Sequence, residues 1–198
     1  MDIKTFKGGY DSNFFYILSS GKDAAVIDCF DAKKVIEYLE KNKLTLKYII
    51  STHSHFDHVE ANSDLKKELI KRKQEPKIVM YKSNNCDIKV DEGDELELGD
   101  SKDKSTLKIL YTPGHDMGCI CILVDDKLLF TGDTLFVKTI GGIFCKDGEK
   151  FQKESLKRLM KLNDDIIIYP GHDYGNTPTS TIKIERETNL KLRNRINY

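Results

Sequence analysis

All five histidines of the chain stand in short loops beside glycine or aspartate, at points where a predicted strand ends. His53, His55 and His58 share one loop that follows a buried strand, and His115 and His172 each follow a Pro-Gly turn. Histidines that serve only packing would scatter over helices and strands. Their shared position instead predicts an α/β fold in which strand ends from distant parts of the chain meet at one edge.

The spacing within the first loop suits metal coordination. His53 and His55 lie two residues apart, and in extended backbone such residues project to the same side, so their imidazoles can bind one ion. Asp57 and His58 follow at the point where the chain enters the next predicted helix. This change of direction lets them offer a second pair of ligands to a neighbouring ion.

Three further residues complete the predicted site. His115 can complete the first set of ligands and His172 the second, while Asp133 follows a predicted strand and can bridge two ions through its carboxylate. Two divalent ions roughly 3.5 to 4 Å apart lower the pKa of a shared water and polarise the carbonyl that it attacks. The pattern predicts a metal-dependent hydrolase with these ligands: His53, His55, Asp57, His58, His115, Asp133 and His172.

Strand-like and helix-like patterns alternate along the chain, which predicts an α/β protein. Apolar runs predict strands at residues 14–18, 24–28, 48–51, 77–81 and 166–169, and a hairpin over residues 119–131. Asp31 has the position of a helix N-cap. Further helical patterns cover residues 61–73, 154–162 and the chain from about residue 179 onward.

The length and charge of the chain limit its class. Its 198 residues fit one domain over residues 1–198. Basic and acidic residues both number 32, and the resulting zero net charge gives no global attraction to nucleic acid or anionic lipid. No apolar run nears the roughly 20 residues that cross a bilayer, and the first residues lack the apolar stretch of a signal peptide. We therefore expect a cytoplasmic protein with a small-molecule substrate, and neither nucleic acid nor membrane as a partner.

Four segments, in order along the chain, closely resemble the metal motifs of glyoxalase II-like members of the metallo-β-lactamase superfamily. They are Thr52-His53-Ser54-His55-Phe56-Asp57-His58, Thr112-Pro113-Gly114-His115, Phe130-Thr131-Gly132-Asp133-Thr134-Leu135-Phe136 and Tyr169-Pro170-Gly171-His172-Asp173-Tyr174. The resemblance covers nearly the whole chain. It implies a four-layer αβ/βα sandwich with the metal site at one edge of the two sheets.

The resemblance also implies how the site is used. It implies two divalent ions, with zinc expected and iron or manganese as alternatives. The implied ligand sets, with Asp133 shared between them, are His53, His55 and His115 for one ion and Asp57, His58 and His172 for the other. Catalytic roles fall to Asp57 and Asp133, and Tyr174 stands where these relatives have a substrate-contacting tyrosine. The implied reaction is hydrolysis of an acyl thioester, such as a hydroxyacylglutathione, by a metal-bridging hydroxide.

The chain also departs from the glyoxalase II pattern. Glyoxalase II continues into a separate helical domain that helps to hold glutathione, and we expect no such domain here, because the sequence ends soon after one predicted helix. Residues 137–142 lack the Cys-Gly-Arg or Cys-Gly-Lys stretch of glutathione-using relatives. Alternative functions are hydrolysis of another ester or lactone, a persulfide dioxygenase-like activity with one iron on His53, His115 and Asp133, and a two-metal nuclease, which the neutral net charge disfavours.

Overall fold

Two six-stranded sheets form the centre of the structure, a computed structural model that describes residues 1–197. In the first sheet the strands stand side by side in chain order: β1 (Asp2–Gly8), β2 (Asn13–Ser20), β3 (Asp23–Ile27), β4 (Thr45–Ile50), β5 (Lys77–Tyr81) and β6 (Ile88–Val90). The pairs β1–β2 and β2–β3 are antiparallel, whereas β3, β4, β5 and β6 run parallel to one another.

The second sheet is built from later strands. They are β7 (Glu95–Leu98), β8 (Ser105–Tyr111), β9 (Ile120–Val124), β10 (Leu128–Gly132), β13 (Ile167–Pro170) and β14 (Ser180–Thr181), in the spatial order β14-β13-β10-β9-β8-β7. The neighbours β10 and β13 are parallel, and the other neighbouring pairs are antiparallel. Two short strands lie between β10 and β13 in the sequence, β11 (Leu135–Phe136) and β12 (Thr139–Ile140). They form a separate two-stranded sheet.

Six helices complete the described part of the chain. They are α1 (Ala32–Asn42), α2 (Phe56–Val59), α3 (Asn62–Lys71), α4 (Gly148–Leu159), α5 (Ile182–Thr188) and α6 (Leu190–Asn197). Helices α1 and α3 pack on the outer face of the first sheet, and α4, α5 and α6 pack on the outer face of the second. The order of layers is helix, sheet, sheet, helix, which confirms the expected four-layer αβ/βα sandwich.

Strand β2 shows how the layers are held together. Phe14, Tyr16 and Leu18 lie in the apolar core between the two sheets, and Phe15 and Ile17 pack toward α1 and α3. Burying each such side chain contributes roughly 1.5–3 kcal/mol relative to leaving it exposed. Because both faces of β2 are covered, its sequence is a continuous apolar run rather than an alternating one.

The ends of four strands meet at one edge of the sandwich. Parallel pairing places the ends of β3 and β4 together in the first sheet and the ends of β10 and β13 together in the second. Backbone hydrogen bonds join the two sheets at this edge, from Phe14 N to the Gly171 carbonyl at 2.8 Å and from Ile120 N to the Thr52 carbonyl at 2.8 Å. Loops that follow these strands therefore lie next to one another.

Most predicted elements are confirmed, with changes at their ends. Asp31 caps α1 by accepting a hydrogen bond from Lys34 N at 3.0 Å. The helix predicted over residues 154–162 begins earlier and is α4. The single helix predicted from about residue 179 is wrong, because Asn189 has extended backbone and its side chain accepts from Leu192 N, which starts a second helix.

Strand β1 was not predicted from the sequence, because its residues are mostly exposed and polar at this edge position. Among residues 1–197, no helix combines the length and the apolar character that a membrane crossing requires.

Candidate metal centre

The seven predicted ligands meet at the edge where the strands end. Their ligand atoms lie within 4.8 Å of one another in three overlapping groups: His53 with His55 and His115, His53 with His58 and Asp133, and Asp57 with His58 and His172. We call the group of His53, His55 and His115 the first trio, and the group of Asp57, His58 and His172 the second trio. The structure therefore brings together every ligand expected from the sequence, and metal binding by them stays a prediction.

The ligands are positioned at or beside the ends of several strands and in one short helix. His53 and His55 lie in the loop after β4, and His58 lies in the short helix α2. His115 follows β8 and His172 follows β13. Four of these histidines are buried and His55 is half-buried, so the cluster is partly accessible to solvent at His55.

Asp133 lies between the two trios. Its Oδ1 is 3.4 Å from His58 Nε2, and its Oδ2 is 3.3 Å from His172 Nε2, both in the second trio. The same Oδ2 is 3.6 Å from His115 Nε2 of the first trio. A carboxylate in this position can share its two oxygens between ions held by the two trios.

A second set of contacts holds the histidine rings from behind. His115 Nδ1 lies 2.9 Å from the Gly142 carbonyl, and His172 Nδ1 lies 2.8 Å from the Asp11 carbonyl. His58 Nδ1 lies 3.0 Å from a carboxylate oxygen of Asp28. Such contacts fix the orientation of metal-ligating imidazoles and leave the other ring nitrogen facing the site.

The ring orientations fit a cation. Because Nδ1 of His58 and of His172 each face an oxygen acceptor, the proton of the neutral ring is assigned to Nδ1, and Nε2 presents a lone pair. The two Nε2 atoms face each other across 3.3 Å, and the repulsion between their two lone pairs is removed by a proton or a metal ion between them. Buried His53 Nε2 and Asp133 Oδ1 also have no hydrogen-bond partner among residues 1–197. These residues therefore fit divalent metal ions.

The electrostatics of the cluster favour an ionised carboxylate among imidazoles whose pKa values shift in opposite directions. Burial lowers the pKa of His53 well below its ordinary value, and the neighbouring His58 lowers it further. Burial opposes ionisation of Asp133, but its contact with His172 and the charge of His58 hold the pKa of Asp133 well below its ordinary value. Burial alone would lower the pKa of His58, yet Asp28 outweighs it and the pKa is raised to about 9. Negative charge is thus concentrated around His58.

Two glycines permit the close approach of the loops. Gly132 has φ of 46°, in the left-handed region, and a Cβ there would overlap the Thr52 side chain. A Cβ at Gly141 would overlap the carbonyl oxygen of Asp133. Glycine has no Cβ and accepts both conditions without strain, so these positions bring Asp133 against the loop that carries His53.

Tyr174 lies at the mouth of the cluster. Its ring stacks on that of His172, with centroids 4.9 Å apart and planes 7° from parallel, and its side chain is 45% exposed. The hydroxyl donates to the carboxylate of Asp11, and burial together with this contact raises the pKa of Tyr174. The residue is accessible to a ligand, as a substrate contact requires, and its hydroxyl is already oriented.

Several residues of the site were not predicted. Asp28 accepts from Thr52 N at 2.7 Å and Thr52 Oγ1 at 2.8 Å in addition to its contact with His58. Asn13 donates to Asp57 at 2.8 Å. Asp28 follows a buried strand, as the ligands do, and that position was the signal that could have found it. Asn13 and Asp11 carry no such signal, since their role depends on the β1–β2 turn meeting the loop of His172.

The comparison with known families agrees with the geometry. Residues 8–172 match the family model described as the metallo-beta-lactamase superfamily. The chain belongs to the metallo-beta-lactamase superfamily. The match runs from the end of β1 to His172 and so includes both trios and Asp133.

Curated members of the superfamily include similar proteins named hydroxyacylglutathione hydrolase. One from Francisella tularensis subsp. novicida is 35% identical over 167 residues, which cover 82% of this chain and 63% of the relative. One from Pelagibacter ubique is 36% identical over 181 residues, which cover 88% of this chain and 72% of the relative. The chain thus spans about two thirds of the length of these relatives.

A solved structure of the superfamily shows the same architecture. The crystal structure of ETHE1 from Myxococcus xanthus superposes with a TM-score of 0.87 at 26% identity. The superposition covers 99% of this chain and 88% of the ETHE1 chain. All four layers therefore have counterparts in a solved member.

Proposed function

We propose that the protein is a metal-dependent hydrolase that cleaves acyl thioesters of the hydroxyacylglutathione type. The observation that carries the proposal is the pair of trios that share Asp133, because a two-metal site suits hydrolysis of an activated carbonyl. The names of the Francisella and Pelagibacter relatives support the thioester as substrate class.

We assign the two trios to two divalent ions. His53, His55 and His115 would hold one ion and Asp57, His58 and His172 the other, with Asp133 shared. Imidazole and carboxylate ligands suit zinc, and iron and manganese accept the same donors. When bound, such a pair of ions supplies a nucleophilic hydroxide at neutral pH and polarises the carbonyl under attack.

The chain's own residues hold and orient the reactants. We assign catalytic roles to Asp57 and Asp133. Asn13 holds the Asp57 carboxylate by its hydrogen bond, and a quarter of the Asp57 side chain stays open to the cleft, at 27% exposure. Tyr174 would contact the substrate from its exposed position beside His172. A thiolate leaves without a strong general acid, so the site needs no further proton donor for this substrate class.

The decisive test is hydrolysis by metal-loaded protein of a panel of acyl thioesters, oxygen esters and lactones. We expect turnover of lactoyl thioesters, loss of turnover after chelation, and recovery when zinc is added back. The variant Asp165→Ala serves as the control and should keep full activity, because Asp165 is an exposed turn residue whose carboxylate forms no hydrogen bond or ion pair within residues 1–197. Failure of the loaded protein to hydrolyse any member of the panel would overturn the proposal.

The persulfide dioxygenase alternative is separated by metal content and oxygen uptake. That activity uses a single iron, for which His53, His115 and Asp133 suffice. The second trio is assembled as completely as the first, which favours two ions and hydrolysis. One iron per chain with oxygen uptake on glutathione persulfide would instead favour oxidation.

A further inference from the structure

A large basic groove lies beside the metal centre. It is bounded by residues 140–150, α4 and α6, and it has a volume of about 1100 Å³. We call it the α4–α6 groove. Its basic side chains are Lys150, Lys153, Lys191 and Arg195, and its acidic ones are Asp147 and Glu149. The whole chain has zero net charge, so this excess of positive charge is a local feature.

Within residues 1–197, three of the four basic groups in the groove have no acidic partner. Arg195 pairs with Glu149. The ammonium groups of Lys150, Lys153 and Lys191 form no ion pair with any carboxylate of residues 1–197, whereas Lys157, farther along α4, pairs with Glu154 at 3.2 Å. Unpaired lysines around a concave surface attract and hold anions.

One loop lies between the groove and the metal centre. Gly141 and Gly142 line the groove, and the carbonyl of Gly142 contacts Nδ1 of His115 at 2.9 Å. Phe144, in the same loop, is 72% exposed, and its ring centroid lies 5.2 Å from that of His115. One side of this loop therefore contacts the first trio while the other side forms the wall of the groove.

We propose that the α4–α6 groove binds the anionic part of the thiol carrier whose thioester is hydrolysed at the metal centre. The inference rests on the proposed function. With the thioester carbonyl at the trios, the carrier extends away from the sulfur, and a groove of this volume takes a group larger than a small acyl chain. Phosphate and carboxylate groups are the anions that unpaired lysines recognise.

The test compares three lactoyl thioesters on metal-loaded protein: lactoyl-coenzyme A, which bears phosphates, lactoylglutathione, which bears carboxylates, and neutral lactoyl-N-acetylcysteamine. The variant combines Lys150→Gln, Lys153→Gln and Lys191→Gln. A control variant combines Lys33→Gln, Lys41→Gln and Lys67→Gln, which removes the same charge from exposed positions on α1 and α3, on the opposite face of the sandwich. Binding of non-hydrolysable S-methyl-coenzyme A is measured in parallel by calorimetry.

The groove variant should raise KM for the anionic substrate that fits, by roughly tenfold, because each exposed charge contact contributes up to about fivefold. Its kcat and its KM for the neutral thioester should stay unchanged, since contacts far from the reacting carbon act equally on ground and transition states. The larger rise in KM, for lactoyl-coenzyme A or for lactoylglutathione, identifies whether the groove binds phosphate or carboxylate.

The proposal is overturned if the groove variant changes KM equally for all three substrates or changes it for none. It is also overturned if the control variant changes KM as much as the groove variant does. A different outcome is also informative: the wild type hydrolyses none of the thioesters while the groove variant weakens binding of S-methyl-coenzyme A. This result would overturn the hydrolase proposal and would support the groove as an anion site.

Discussion

The first trio and the second trio share Asp133 but differ in how their members are held. In the second trio every member has a partner outside the site: Asn13 for Asp57, Asp28 for His58 and the Asp11 carbonyl for His172. In the first trio, His55 contacts His115 at 3.0 Å and is otherwise bordered by the ring of Phe144.

The two trios also differ in charge. The first trio consists of imidazoles only, whereas the second contains Asp57 and has Asp28 directly behind His58. A negatively charged set of ligands, each held by a partner outside the site, binds a cation more tightly than a neutral set in which one ligand lacks such a partner. We therefore expect the second trio to bind its ion more tightly and the first trio to lose its ion first.

Removing the shared ligand should have the largest effect. Asp133→Ala deletes the carboxylate that both trios contact, and we expect hydrolysis to fall on the order of 1000-fold, since the ions contribute several kcal/mol to transition-state stabilisation. Turnover and metal content of the purified variant measure this. A variant that keeps wild-type turnover would show that the trios act independently of Asp133; Asp165→Ala controls for the loss of a carboxylate elsewhere.

Asp28→Asn should weaken the second trio selectively. It removes the charge behind His58 and should lower metal affinity at that trio by roughly 10- to 100-fold, as loss of such supporting contacts does in other metal sites. A competition titration with a chelator measures both affinities. Asp125→Asn is a matched control, because Asp125 also has left-handed backbone, with φ of 50° against 56° at Asp28, and lies in an exposed turn. Equal weakening of both affinities would remove the proposed difference between the trios.

Phe144→Ala tests the exposed side of the first trio. Removing the ring that borders His55 and His115 should speed chelator-driven loss of one ion by a few-fold. Because Phe144 is 72% exposed, the free energy of unfolding should change by no more than about 0.5 kcal/mol. Stopped-flow measurement of metal release compares Phe144→Ala with the wild type. Phe56→Ala is the control, because Phe56 is similarly exposed at 73%. Unchanged release from Phe144→Ala would contradict the assignment.

Tyr174→Phe should have the smallest effect. The substitution keeps the ring that stacks on His172 and removes only the hydroxyl that donates to Asp11. We expect KM to rise by about two- to fivefold with kcat nearly unchanged, because the substitution removes one exposed hydrogen bond. Steady-state kinetics with lactoyl thioesters measure both constants, and a fall in kcat without a change in KM would argue against a substrate-binding role.

The sequence predicted the part of this site that depends on strand ends. Short loops after buried strands concentrate at one edge of an α/β fold, so the histidines and Asp133 could be grouped before their distances were known. The alternation of strands and helices predicted an α/β protein, and the order of layers followed from the motif resemblance.

The supporting contacts could not be predicted, for a physical reason. Asp11 lies in the turn between β1 and β2, and Asn13 is the first residue of β2. Both reach the site only because this segment pairs by backbone hydrogen bonds with the loop of His172. Such contacts depend on the docking of the two sheets, which no local pattern records. The break at Asn189 was missed because a residue that ends one helix and caps the next also fits a continuous helical pattern.

The most direct test of the account is the location of metal in the protein. Crystals grown after loading with zinc, with anomalous diffraction recorded on both sides of the zinc absorption edge, show how many ions bind and where. We predict two ions, one against each trio with Asp133 between them, and higher occupancy at the second trio when metal is limiting. A single ion, or ions bound away from these side chains, would contradict the two-metal site on which the proposed hydrolysis depends.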